Sequence, residues 1–210
     1  MVDDRTQRRL QDQASGRSTA PAQSLSSEAV LHALKMILVG EPLNDVLTSV
    51  TRLIEAHSER MLCSISLLDE DGLHLRSAAA PSLPESYRAA TDRAAIGPDV
   101  GSCGAAAYLR QSVFVSDISS DPKWTTFRDV ALQSGLRAAW SSPIMSHDGK
   151  VLGTFCIYYR EVQHPMPAEI QLIEYASRIA GIAIERDRTQ SALQQAHREL
   201  RLLIDRKSVV

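Results

Sequence analysis

The chain has little that would mark it for a membrane, a nucleic acid or an oxidising compartment. A membrane span needs roughly 20 successive apolar residues, and apolar stretches here are short, such as Ile179-Ala-Gly-Ile-Ala-Ile184. No apolar core follows the charged N-terminus, so no signal peptide is expected. Charge of either sign is in balance, 23 Lys and Arg against 25 Asp and Glu. A chain of net charge −2 and pI about 6.3 lacks the basic footprint of direct nucleic-acid or anionic-lipid binding. Cysteines number three, at 63, 103 and 156, with no CxxC pair and no disulfide framework, which points to a reducing cytoplasm. The six histidines form no i,i+4 pair and no HExxH, so no metal site is expected. Aromatics are also few, and eight of the ten fall between Tyr108 and Tyr159. That crowding predicts a core or pocket in the second half.

What is present reads as one α+β domain with terminal extensions. Residues 1–24 are polar and mixed in charge, with too few apolar side chains to offset ordering entropy; they are expected to form a disordered arm. The cap Ser26-Ser27-Glu28 opens a helix with Leu31, Leu34 and Leu38 at helical spacing, ended by Gly40 and Pro42. Leu43, Val46, Leu47, Val50 and Ile54 form one face of a second helix. The period then drops to two. Met61, Cys63, Ile65 and Leu67 alternate, Asp71-Gly72 supplies a hairpin turn, and Leu73, Leu75, Ser77 and Ala79 are expected to share a face. A short helix over 85–94, a glycine-rich turn at 96–104 opening onto a helix over 105–110, a strand at 113–116 and a helix near 126–133 follow. The clearest hairpin joins 136–146 to 151–159 through His147-Asp-Gly-Lys150. Residues 167–205 carry one long helical pattern. Within it Ile179, Arg186, Leu193 and Leu200, and Ile182, Thr189, Ala196 and Leu203, recur every seven residues. That is an a/d seam, and beyond Arg186 it predicts a parallel coiled coil or signalling helix joining two copies. Up to residue 184 a helix packed on its own domain is the simpler reading.

Three stretches carry a family resemblance: IGPDVGSCGAAAYLRQSVFVSDISSDPKW, GLRAAWSSPIMSHDGKVLGTFCIYY and LIEYASRIAGIAIERD. Together they resemble a GAF domain, of the bacterial subgroup found in sensor histidine kinases, cyclic-di-GMP enzymes and sigma-54-type activators. The resemblance covers about residues 43–187. It implies a six-stranded antiparallel sheet with helices on both faces and a long C-terminal coiled-coil helix. The terminal helices would share the face where homodimers form. A pocket would lie on the other face, with residues 84–135 as roof and strands 136–146 and 151–159 as floor. The implied organisation is an arm over 1–24, a sensory domain over 25–187 and a signalling helix or linker over 188–210.

Candidate pocket residues follow from chemistry at these positions. Ser102 and Cys103 sit where a loop enters a helix, a place that favours an anion or a thiolate; Cys103 is either reactive or a small buried hydrophobe. Asp117 is either a turn former or a polar group at the pocket mouth. Trp124, Trp140, Phe155 and Tyr158 would form an apolar box or ordinary core. Arg137, inside an apolar strand, needs a partner, either Asp117 or Asp129 or an anionic ligand. The NKFDE motif of cyclic-nucleotide-binding members is absent, no Cys-His dipeptide could anchor a bilin, and no histidine is placed convincingly for haem; the cofactor is left unassigned. No catalytic triad or carboxylate pair stands out. The expected function is a non-enzymatic sensor in bacterial signal transduction, of the two-component type. It would bind an unidentified small molecule and act on an effector domain or partner. A small redox enzyme using Cys103, similar to the methionine-sulfoxide-reducing GAF enzymes, and a ligand-free dimerisation module are the alternatives.

Overall fold

The computed structural model describes residues 27–207; the expected N-terminal arm over 1–24 lies outside them. Helix α1, Ser27–Val39, stops at Gly40, whose φ of 98° suits the chain reversal. Helix α2, Leu43–Glu55, follows Pro42 and buries Val46, Leu47, Val50, Thr51 and Ile54 along one stripe. In α1 the buried residues are Ala33 and Ile37, whereas Leu31 and Leu38 point outward.

Six strands then build one antiparallel sheet in the order β3-β2-β1-β6-β5-β4. They are β1 (Leu62–Leu68), β2 (His74–Ala79), β3 (Ala94–Ala95), β4 (Val113–Val115), β5 (Ala138–Met145) and β6 (Val151–Tyr159). The Asp71 carboxylate closes the first hairpin by accepting from the amides of Leu73 and His74 at 2.7 and 3.2 Å. Strand β3 is two residues long and too short to leave a periodic signal. Helices α3 (Glu85–Thr91), α4 (Gly101–Leu109) and α5 (Arg128–Gln133), with a 3-10 turn at Pro122–Trp124, cross one face of the sheet. Helix α4 begins four residues earlier than expected and takes in Gly101 and Gly104, assigned to the preceding turn.

Side chains alternate across the sheet, so each strand feeds two cores. On one face Cys63, Ile65, Ala138, Trp140, Phe155, Ile157 and Tyr159 meet α1, α2 and the long final helix α6, Pro167–Lys207. On the other face Ala139, Cys156 and Tyr158 meet Tyr87, Ala105, Trp124 and Ala131. The expectation that Leu75, Ser77 and Ala79 share a face fails at a bulge. Ile65 pairs with Ala79 while Ser66 pairs with Ser77, so one extra residue in β2 reverses the parity. Ala79 accordingly joins the terminal-helix core.

Helix α6 has two halves. Leu172, Ile173, Ala176, Ile179, Ala180, Ala183 and Ile184 are buried in the domain's own core. Ile179 therefore packs within the chain and is not part of an open seam, a correction to the heptad reading. Ile182 is 51% exposed, and from 188 to 202 every side chain, including Leu193, Ala196 and Leu200, is exposed. Leu203 lies in the helix, and its side chain falls outside the described ones. No helix among the described residues is long and apolar enough to cross a membrane.

Candidate functional site

Between the sheet and its crossover helices lies a cavity of about 50 Å³. A water needs on the order of 10–15 Å³ measured this way, so the space suits a few waters or a small polar molecule. Its floor is hydroxyl-bearing. Ser64 and Ser66 from β1, Ser77 from β2 and Tyr158 from β6 all face it. The reason is the pleat: β1 reads Cys63-Ser-Ile-Ser-Leu67, with apolar residues toward the terminal helices and serines toward the cavity. The roof comes from the loop at Ala80 and Leu83, from Tyr87 and Arg88 of α3, from the start of α4, and from Trp124 and Phe127. Strand β5, expected in the floor, contributes no lining residue.

Ser102 ties roof to sheet. Fully buried, its hydroxyl donates to the Ala139 carbonyl at 3.0 Å and accepts from the Trp124 indole N–H at 3.2 Å. Gly101, the first residue of α4, has φ +60°, and a side chain there would lie against the Trp124 ring. Beside this clasp the Tyr158 hydroxyl accepts from Ser64 at 3.4 Å and lies 3.7 Å from the Cys103 sulfur, while its ring meets Tyr87 edge-on at 5.6 Å. Burial pushes both phenols well above their ordinary pKa. Cys103 moves the opposite way, down to about 6, chiefly through the neighbouring Cys156 thiol. The Tyr158 hydroxyl beside its sulfur adds to this, against the opposing effect of burial.

Four of the eight candidate pocket residues, Ser102, Cys103, Trp124 and Tyr158, line the cavity together. Trp140 and Phe155 do not. Both are fully buried on the opposite face with the terminal helices, because in their strands they alternate with Ala139 and Cys156. Trp140 packs against Tyr159 with ring centroids 4.5 Å apart and planes tilted by 49°, and its indole N–H has no partner among the described residues. Asp117 and Arg137 lie outside the lining and form a partly exposed ion pair at 3.5 Å. The Asp117 carboxylate also accepts from the hydroxyl and amide of Ser119, and these bonds, with Arg137, hold it below the usual carboxylate range. Among these two, the structural alternatives hold. The lining residues that sequence reasoning missed include Ser64, Ser66, Ser77, Leu83 and Tyr87. Among the described residues no group of three or more His, Cys, Asp or Glu is arranged to hold a metal ion.

Comparison with known proteins gives a consistent frame. A family model for the GAF domain matches residues 40–185. A methyl sulfide methyltransferase-associated sensor from Methanosarcina acetivorans is 34% identical over 172 residues, 82% of this chain; the chain spans 17% of that relative's length. Among solved structures, a protein described as a GAF sensor from Burkholderia vietnamiensis superposes with TM-score 0.63 at 18% identity, covering 80% of this chain and 99% of that one. A free methionine-R-sulfoxide reductase from Neisseria meningitidis, solved with its substrate, gives TM-score 0.59 at 17% identity, covering 80% and 96%. At these identities the structural likenesses establish the fold alone.

Proposed function

The chain belongs to the GAF family, and from that premise we propose that it is a sensory module of bacterial signal transduction, working in the cytoplasm without catalysing a reaction. The observation that carries this reading is the cavity. It is enclosed between sheet and crossovers, floored by hydroxyls, and clasped by Ser102 to the 3-10 turn above it. Its size favours a small polar ligand of a few non-hydrogen atoms. The sensor relative at 34% identity supports the same role.

The strands that floor the cavity carry on their reverse the core shared with α1, α2 and α6. A ligand held more tightly in one arrangement of sheet and helices than in another shifts the population between them. In this reading residues 25–187 form the sensing unit, and 188–210 pass the shift to an effector domain or partner. A second copy pairs along the exposed seam of Ile182, Leu193, Ala196 and Leu200.

The test is native mass spectrometry of the chain purified from its own host, with identification of any retained molecule. The expected result is a small adduct held by the natural chain and lost from Ser66→Leu, which fills the floor. A chain that carries nothing and shows no thermal shift across a metabolite panel would overturn the reading.

A further inference from the structure

Two thiols meet beneath the first turn of α4. Cys156, midway along β6, is registered between Ser64 of β1 and Ser141 of β5, so its side chain lies on the cavity face of the sheet. Cys103 hangs from α4 onto that same face; its sulfur is 3.7 Å from the hydroxyl of Tyr158, two residues along β6. Both belong to one packed cluster, in which the Cys156 thiol reaches the Ile157 carbonyl at 3.8 Å and each thiol shifts the titration of the other. Access differs between them. Cys103 is partly exposed and lines the cavity, while Cys156 is fully buried behind it. The third thiol, Cys63, lies on the opposite face among the terminal-helix residues, where the sheet separates it from the pair.

We propose that Cys103 and Cys156 are a redox pair that a hydroperoxide converts reversibly into a disulfide bridging α4 to β6. The arrangement divides the two roles such chemistry requires. Cys103, held below the ordinary thiol range, is the more readily ionised of the two, and it lines the cavity through which an oxidant enters. Its sulfur attacks one peroxide oxygen, the O–O bond breaks, and the departing alkoxide takes up a proton, leaving a sulfenic acid on Cys103. Cys156 is pushed well above the ordinary thiol range by burial and by its neighbour Cys103, so it stays protonated until that neighbour is oxidised. Its sulfur then attacks the Cys103 sulfur. The S–S bond forms, the S–O bond breaks, and hydroxide leaves as water with the Cys156 proton. Two electrons pass from the two thiols to the peroxide. A small dithiol restores the pair by two thiol–disulfide exchanges and is itself oxidised to its disulfide. The bridge would pin the start of α4, and with it the Ser102 clasp, to the sheet.

This inference does not depend on the cavity holding a ligand. The test treats the full reduced chain with stoichiometric hydrogen peroxide at pH 7, followed by intact mass and peptide mapping. Expected are a loss of two hydrogens, a peptide pair joined through Cys103 and Cys156, and full reversal by dithiothreitol. Cys156→Ser should stop at a sulfenic acid on Cys103 that dimedone traps, Cys103→Ser should leave Cys156 unoxidised, and Cys63→Ser should behave as the natural chain. Iodoacetamide at pH 6.5 should label Cys103 and spare the other two thiols in the unsubstituted chain, which keeps the idea exposed to failure should a variant not fold. An unchanged mass, an unbridged Cys103 adduct in the natural chain, a bridge to Cys63, or disulfides only between chains would each overturn it.

Discussion

Replacing Ser102 by alanine tests whether one hydroxyl holds the cavity roof to the sheet. The side chain is fully buried, and its oxygen serves two partners, the Ala139 carbonyl and the Trp124 indole N–H. Each such hydrogen bond contributes about 0.5–1.5 kcal/mol net, and a buried donor left alone costs about 1–3 kcal/mol. Trp124 is itself 2% exposed, so water does not readily replace the lost acceptor. The expected destabilisation is about 2–3 kcal/mol, a fall in Tm of roughly 5–10 °C for a domain of this size. Urea unfolding read by tryptophan fluorescence measures it. A double-mutant cycle sharpens the result. With Trp124→Phe in place there is no N–H to strand, so the Ser102→Ala penalty should shrink by about 1–2 kcal/mol. A penalty under about 0.5 kcal/mol, or strictly additive effects, would refute the clasp.

Three further outcomes follow from the same geometry. A Cβ at Gly153 would sit 2.1 Å from the Ser66 carbonyl oxygen and 3.1 Å from Leu67 Cα, both backbone, so Gly153→Ala must part β1 from β6; a loss of about 3 kcal/mol or more is expected in chemical denaturation. Leu193→Glu with Leu200→Glu places charge on the exposed seam of α6 and should convert a dimer to a monomer by light scattering without lowering the melting temperature of the domain; an unchanged oligomeric state would remove the seam from the account. His147 in the β5–β6 turn bonds Glu185 of α6, which raises the imidazole pKa and lowers the carboxyl. The imidazole's share of stability is therefore present below its ordinary pKa and is lost as pH rises through the raised one, while the carboxyl's share is lost as pH falls through its lowered one. His147→Ala should lower Tm near pH 6 and change it much less at pH 9, and a pH-independent effect would contradict the pairing.

The elements whose residues repeat locally were legible in the sequence. The long terminal helix, the β5–β6 hairpin and the α2 stripe each rest on a period written into neighbouring residues, and they fall close to their expected bounds. The two-residue β3 was not legible, because it pairs with β2 through contacts that no local pattern records. For the site, Ser102, Cys103 and Trp124 were found from the loop-to-helix motif and the aromatic crowding. The error with Trp140 and Phe155 came from reading crowding without parity. In β6 the sequence Phe155-Cys-Ile-Tyr158 already separates two faces, and only Cys156 and Tyr158 share a side with Ser102. The serines of β1 carried a signal that attention to the apolar set conceals: hydroxyls at alternate positions of a buried strand mark a face that looks onto polar space. The bulge that moves Ala79 across the sheet depends on β1–β2 pairing and has no signature in β2 alone.

Glu55 closes the last turn of α2, and its two carboxylate oxygens are both engaged, one by the Cys63 amide at 2.8 Å and the other by the Ser82 hydroxyl at 2.7 Å. Ser82 stands between Ala80 and Leu83, which wall the cavity. One planar group thus acts as a tie-rod between a helix on one side of the sheet and the rim of the space on the other. A tie-rod transmits tension but does not choose its direction. Whatever draws the rim outward must stretch the Ser82 bond or pull on the end of α2, and a shift of α2 acts on the rim in the same way. Glu55→Gln would keep both ends, its oxygen accepting from the Cys63 amide and its NH2 donating to the Ser82 hydroxyl, so the rod is cut instead by Ser82→Ala, which should uncouple helix from rim while both remain folded.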